Sequence, residues 1–297
     1  MRLGFIGLGM MGRLMVANLE KAGHTVQSYD LNGTGNGGSA REAAAGAEVL
    51  ITMVPDGKAV RKAVLAALPG LQAGAIVIDM SSSSPLDTKK LHAILEKKDI
   101  SLLDAPVSGA KAKAADGTLA LMVGGEAALL ERVRPLLSKM GSEIFHTGAL
   151  GSGHATKALN NYLGAAGTIA GFEALLVGEK FGLDPKTLID VINASTGKNS
   201  TTERKIPQQV FTRAFASGFQ LALMAKDVGI ARELARDAGV ETPYLKNTLK
   251  IWRDALSRLP AGADHTEMYH YLKTLKPPSR GAVSPRARSR QKRRRSS

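Results

Sequence analysis

The stretch GSGHATKALNNYLGAAG, Gly151–Gly167, reads as a helix of small apolar residues carrying a few polar ones. His154, Lys157 and Asn161 stand at i, i+3 and i+7, which puts them on one helix face. A lysine works as a proton acceptor near neutral pH when burial, or a neighbouring positive charge, lowers its pKa toward ~7–8. Its amine can then take the proton of a hydroxyl, and in the reverse direction its ammonium donates to a carbonyl oxygen. Asn161 can donate and accept without titrating, which suits it to holding such a hydroxyl. From the helix alone, a plain solvent-facing lysine is the favoured reading. Asn160 is turned about 100° away from Asn161 and has no evident role.

A second constellation opens the chain. Leu3–Ile6 reads as a strand and runs into Gly7-Leu8-Gly9-Met10-Met11-Gly12, after which Gly12–Lys21 has a helical pattern. In that setting G-x-G-x-x-G is a dinucleotide-binding turn. Its first glycine permits the tight turn, its second lets a pyrophosphate approach the backbone, and its third lets helix and strand pack closely. Asp30 closes the next strand, Thr25–Tyr29. A carboxylate there accepts hydrogen bonds from an adenosine ribose and repels a 2′-phosphate, so NAD is expected over NADP. The plainer alternative is a turn aspartate, since Leu31-Asn32-Gly33 follows.

These residues need elements to hold them. Further strands are expected at Val49–Val54, Ala75–Asp79, Leu102–Asp104, Thr118–Val123 and Glu143–His146, with helices at Lys58–Ala67, Pro85–Lys97 and Glu126–Met140. Such alternation predicts a parallel sheet covered on both faces. After Gly151 the strand signals stop. A long helix is expected over Ala155–Phe181, then one capped by Asp184 with Pro185 in its first turn, then helices near 203–214, 220–238 and 242–258. The predicted fold is therefore an α/β Rossmann domain with a parallel-sheet core over 1–150, followed by an all-α domain over 151–275. Between Asp30 and Val49 there is room for one helix only, at Ser39–Ala47, so one α-β piece of the usual unit is missing.

The chain has 297 residues, no cysteine and a net charge of +14. Nine of its Lys and Arg residues lie in 276–297, which holds no acid, leaving +5 (14 − 9) for 1–275. That tail reads as disordered; a localisation signal or polyanion-binding arm is the sharper alternative. The absence of cysteine suits a reducing, cytoplasmic compartment. No run of ~18 apolar residues predicts a membrane span. The other histidines, His24, His92, His146, His265 and His270, lack metal-ligand spacing, and no metal is expected.

Four motifs, in order and spacing, make the chain resemble the β-hydroxyacid dehydrogenases over about residues 1–275. They are GFIGLGMMG (4–12), DAPVSGAKAKAADGTL (104–119), GSGHATKALNN (151–161) and AKD (225–227). The resemblance implies an NAD-dependent enzyme that oxidises a small 3-hydroxy acid. It implies Lys157 as catalytic acid/base, Asn161 as a substrate-orienting group, and Ser108 and Gly109 as holders of the substrate carboxylate. On the cofactor side it implies residues 7–12 with Asp30, then Val54, Pro55, Ser82 and Lys226. His154, where the family often has glutamine, is read as a polar positioning residue.

Two departures stand out. Ala110, followed by Lys111, replaces the family's second glycine after Gly109, and the segment after Asp30 is short. Gly197-Lys198-Asn199-Ser200 is a candidate second substrate wall or a helix connection, and Met10, Met11, Met53 and Met122 read as core. The small residues of Leu163–Val177 suggest packing against a second copy, as dimer or tetramer. The competing function is a catalytically weak binding module whose basic tail contacts nucleic acid.

Overall fold

The structure is a computed structural model and describes residues 1–275; the basic tail expected to be disordered lies outside them. Eight strands form one sheet: β1 Arg2–Ile6, β2 Thr25–Tyr29, β3 Val49–Thr52, β4 Ile76–Asp79, β5 Ser101–Asp104, β6 Val107–Ser108, β7 Leu119–Gly124 and β8 Gly141–Gly148. They run in the order β2-β1-β3-β4-β5-β7-β6, with β8 also paired to β7. The helices between them are α1 Gly12–Lys21, α2 Ala40–Ala44, α3 Gly57–Ala67, α4 Pro85–Leu95, α5 Ala110–Ala115 and α6 Ala127–Leu137.

The sequences VLIT and IVID are buried at every position, so β3 and β4 lie in the centre with helices over both faces. Helix starts follow side-chain chemistry: Ser39 accepts from the Glu42 N–H and Asp56 from the Ala59 N–H. The first five strands in the chain are mutually parallel, as expected, but β7 runs antiparallel to β5 and β6. Strand β6 and helix α5 were not anticipated. Two and six residues are too few for a hydrophobic period to show.

The missing α-β piece leaves β2 at the sheet edge. A side chain covers part of that edge. The Asn36 amide accepts the Ser28 N–H at 2.7 Å and donates to the Val26 carbonyl at 2.9 Å, while Gly37 N–H reaches the Ser28 carbonyl. One asparagine thus supplies the donor and acceptor that a neighbouring strand would present.

Every element after Gly148 is helical: α7 Ser152–Phe181, α8 Pro185–Asn193, a π-helix at Thr201–Val210, α9 Leu221–Asp237, α10 Pro243–Arg258, a short 3₁₀ turn and α11 Met268–Thr274. Asp184 caps α8 through the Thr187 N–H. The stretch expected as an ordinary helix near 203–214 is the π-helix, and it contains Pro207, which has no N–H for a regular ladder. A second core gathers Ile169, Phe172, Leu175, Val228 and Trp252 around α7.

Helix α7 joins the halves. A Cβ on Gly153 would collide with the Met122 carbonyl, and one on Gly124 would crowd Asp104 and the Gly153 N–H. Glycine at both places lets the helix backbone lie directly on the sheet. Asp104, from β5, then accepts the Gly151 N–H at 2.7 Å and the His154 N–H at 2.8 Å. A buried carboxylate from the sheet thus caps a helix that has no side-chain cap of its own.

Candidate active site

The glycine-rich turn has the geometry its sequence predicts. Gly7 has φ +104°, and a Cβ there would strike the Met53 carbonyl and the Val54 side chain. A Cβ on Gly12 would strike the Gly7 carbonyl. Gly9 differs: it is exposed, and a Cβ there would meet nothing within 4 Å. The packed Gly7 and Gly12 shape the turn, and Gly9 leaves open the approach a pyrophosphate needs. The first turn of α1 carries neither a side-chain cap nor an acid, so no side-chain anion competes at that helix end. Leu8 and Met11 are half-buried against the sheet core. Met10 is not core: it is 42% exposed, and its sulfur lies beside Gly218 of the helical half.

Asp30 is fixed at the end of β2. Its Oδ2 accepts the Leu8 N–H at 2.6 Å and its Oδ1 accepts the Asn32 N–H at 3.0 Å. The carboxylate therefore stands beside the glycine turn with lone pairs to spare. These features fit a bound NAD.

Across the cleft, Lys226 on α9 donates to the Pro55 carbonyl at 2.8 Å and the Ser82 carbonyl at 2.6 Å, and its ammonium lies 3.1 Å from Asp227 Oδ1. It grips the loops after β3 and β4, with Val54 half-buried between Gly7 and the Ser81 hydroxyl. Two of its protons thus go to loop carbonyls, while the Asp227 oxygen is held as an ion pair.

Lys157 is partly buried one turn before Asn161. Burial pushes its ammonium below the usual lysine value; the Asp227 charge opposes that and the Lys226 charge adds to it. Lys226, expected on the cofactor side, is thus close enough to act on Lys157. Among the described residues the Lys157 ammonium has no hydrogen bond or ion pair. Asn161 is buried and donates to Asp227 Oδ2 at 2.5 Å, and the Asn160 amide donates to the Asn161 oxygen at 3.3 Å.

Asp227, in the AKD motif, is a site residue that the spacing of the sequence alone does not single out. Asp227 is 2% exposed and touches both Asn161 and Lys226. A buried acid next to a lysine was the available signal.

Ser108 and Gly109 lie at the turn from β6 into α5, both half-buried. Among the described residues no hydrogen bond links them to the Lys157 group. Ala110, where glycine is usual, has φ +57°. His154 does not share the cleft face with Lys157; its ring is buried against the ends of β4 and α4. The Gly197–Ser200 loop acts as a cap: Asn199 accepts the Thr201 and Thr202 N–H groups. No group of residues among those described is arranged to hold a metal ion.

Comparison with known proteins bears on the whole chain. A family model described as the NAD binding domain of 6-phosphogluconate dehydrogenase matches residues 2–148, and one described as NAD-binding of NADP-dependent 3-hydroxyisobutyrate dehydrogenase matches 151–272. A probable 3-hydroxyisobutyrate dehydrogenase of Mycobacterium tuberculosis is 37% identical over 282 residues, 90% of this chain and 94% of that protein. An NAD-dependent L-serine dehydrogenase of Pseudomonas aeruginosa is 37% identical over 271 residues, 85% of this chain and 91% of that protein. The solved Mycobacterium tuberculosis 3-hydroxyisobutyrate dehydrogenase with L-serine superposes with a TM-score of 0.85 at 36% identity, covering 92% of this chain and 99% of that one.

The chain belongs to the β-hydroxyacid dehydrogenase family. Within it, the chain is an NAD-dependent dehydrogenase acting on the CH–OH group of a hydroxy acid. The binding-module alternative gains no support from these relatives, and its basic tail lies outside the described residues.

Proposed function

We propose that the enzyme reversibly oxidises a small 3-hydroxy acid to the matching semialdehyde or keto acid, with Lys157 as acid/base. NAD, when bound, accepts the hydride from the carbinol carbon. Lys157, as the neutral amine, takes the hydroxyl proton; in reduction its ammonium returns it. Asn161, oriented by Asp227, holds the substrate oxygen, and Ser108 with Gly109 receives the carboxylate. Asp30 holds the adenosine ribose and disfavours a 2′-phosphate, which makes NAD the preferred cofactor. Lys226 sets the Pro55 and Ser82 loops around it.

One observation carries this reading. Lys157 is a lysine lowered in pKa by burial, flanked by the Asp227 and Lys226 charges, with its ammonium bonded to no described residue. Such a group costs stability, and perturbed titratable groups of this kind cluster at functional sites. The test is a panel of 3-hydroxy acids, L-serine and 3-hydroxyisobutyrate included. Purified protein should reduce NAD with at least one of them, with a preference for NAD over NADP. Lys157→Ala should remove most of that rate and keep NAD binding; an unimpaired Lys157→Ala enzyme overturns the assignment.

The proposal extends to assembly. Leu163, Val177 and Phe181 on α7 are 69%, 70% and 82% exposed, an apolar face suited to a second copy of this chain. Light scattering should return a dimer or tetramer. The cysteine-free chain suits a reducing compartment, so the cytoplasm is the proposed location.

A further inference from the structure

We propose that His154 is a positioning residue: it ties the helix that carries Lys157 to the Ser81–Ser82 turn, and so fixes the amine against the cofactor side of the cleft. The inference rests on the reading of Lys157 above.

His154 is 1% exposed and lies one turn before Lys157. Its Nε2 is 3.1 Å from the Ser81 carbonyl. A carbonyl only accepts, so Nε2 carries a proton and donates. Its Nδ1 is 2.8 Å from the Thr88 hydroxyl on α4. One ring thus links α7 to the turn after β4 and to the start of α4. The turn it holds is the one Lys226 holds from α9: His154 takes the Ser81 carbonyl and Lys226 the next, that of Ser82. The same Ser81 accepts the Val54 N–H through its hydroxyl at 2.9 Å. A shift at His154 would therefore reach both the Ser82 side and the Val54 side of the cofactor cleft.

The charged groups around the ring are already satisfied. Asp79 Oδ2 is 3.5 Å from Nε2 and Asp104 Oδ2 is 3.7 Å from Nδ1. Asp79 accepts from the Thr52 hydroxyl, the Ser81 N–H and the Ser83 hydroxyl. Asp104 accepts the Gly151 and His154 N–H groups. The ring is therefore needed as a bridge of fixed length. The Asp104 cap fixes where α7 begins, and the ring fixes how α7 is rotated against β4. Lys157, three residues on, takes its height and direction from both.

This assignment makes a chemical demand that separates it from simple core packing. The site needs a donor toward Ser81 and a polar partner for Thr88, at the reach of an imidazole. Glutamine offers both. Leucine fills the volume with neither, and asparagine is one methylene short.

The test uses the full chain and the variants His154→Gln, His154→Leu and His154→Asn, with thermal unfolding to confirm folding. Steady-state kinetics and calorimetric NAD titration are read in parallel. His154→Leu and His154→Asn should lower kcat roughly 10- to 100-fold with KM for the hydroxy acid within about threefold, as a displaced acid/base predicts, and should weaken NAD about fivefold. His154→Gln should stay within about twofold of wild type in both readouts. Should His154→Leu not fold, His154→Asn carries the comparison. A glutamine variant as impaired as leucine overturns the proposal, as does a loss confined to KM, or leucine and asparagine variants that match wild type. If wild type oxidises nothing in the panel, the functional reading fails separately. His154 is then decided by NAD affinity, where equal values across the variants overturn its role.

Discussion

The Asn161 amide donates to the Asp227 carboxylate at 2.5 Å, joining the helix that carries Lys157 to the helix that carries Lys226. Asp227 is buried and also lies 3.1 Å from the Lys226 ammonium. One carboxylate thus orients the Asn161 amide and stands between two lysines whose charges act on each other. Burial lowers the Lys157 pKa, the negative charge of Asp227 opposes that, and Lys226 adds to it.

That arrangement predicts opposite shifts from two substitutions. In the proposed reaction oxidation needs the neutral amine of Lys157, so kcat/KM should climb with pH through its pKa. Asp227→Asn removes the charge that favours the ammonium, and the rise should move to lower pH. Lys226→Met removes a repelling charge, and the rise should move to higher pH. Both variants should also lose rate, since Asp227 orients Asn161 and Lys226 holds the Pro55 and Ser82 loops. The measurement is the midpoint of the pH profile, which is independent of that loss. Two shifts of the same sign would contradict the electrostatic account.

The three glycines of the N-terminal turn should separate binding from folding. Gly9 faces open space, so Gly9→Val should leave thermal unfolding nearly unchanged and weaken NAD at least ~10-fold by blocking the pyrophosphate's approach. Gly12→Val places a side chain against the Gly7 carbonyl, between strand and helix. It should cost several kcal/mol, on the order of 3 or more, as overpacking between backbones does. NAD titration beside a denaturant melt for each variant checks the pair.

Much of this site was legible in the sequence. The glycine turn, Asp30 and the helix carrying Lys157 and Asn161 announced themselves because local spacing dictates local geometry. The missing α-β piece was countable, since eighteen residues between Asp30 and Val49 cannot hold helix, strand and helix. What filled the gap was not readable: that the Asn36 amide would cover the β2 edge depends on a loop folding back, which no period encodes. The burial of His154 escaped for a similar reason. Helical spacing fixes the angle between His154 and Lys157, but only the docking of α7 on β5 and β7 decides which of the two meets the sheet and which meets the cleft. Met10 read as core by hydrophobicity alone, and its exposure follows from its place on a turn that must stay open.

Ala110 should be a strained residue. Its φ of +57° is in the left-handed region, where a Cβ costs ~1–2 kcal/mol, partly offset by the ~0.5–1 kcal/mol of chain entropy that glycine gives up on folding. Ala110→Gly should therefore stabilise the fold by about 0.5–1 kcal/mol in chemical denaturation. The position follows Ser108 and Gly109, so the same variant should change KM for the hydroxy acid more than kcat. An unchanged KM would argue that this turn does not hold the carboxylate.

Lys205 gives a pH signature that belongs to the fold and not to catalysis. It lies in the π-helix, donates to the Thr168 hydroxyl at 2.7 Å, and has no carboxylate within ion-pair distance among the described residues. Burial, reinforced by Arg204, lowers its pKa from 10.5 to about 8, with Asp264 opposing. In the unfolded chain Lys205 keeps its proton to about 10.5, and in the fold only to about 8. Between those values the unfolded state binds more protons, so stability rises with pH across that window. Below about 8 the buried ammonium is a standing penalty, on the order of 3 kcal/mol by linkage. Lys205→Met, which fills the same space without the charge, should raise the unfolding temperature at pH 7 and remove most of the increase in stability between pH 8 and pH 10.5. Unfolding free energies of both proteins across that range decide it. A variant whose curve runs parallel to wild type would show that Lys205 does not titrate in this window. Activity at pH 7 should remain within about twofold, because Lys205 meets α7 at Thr168, three turns beyond Lys157.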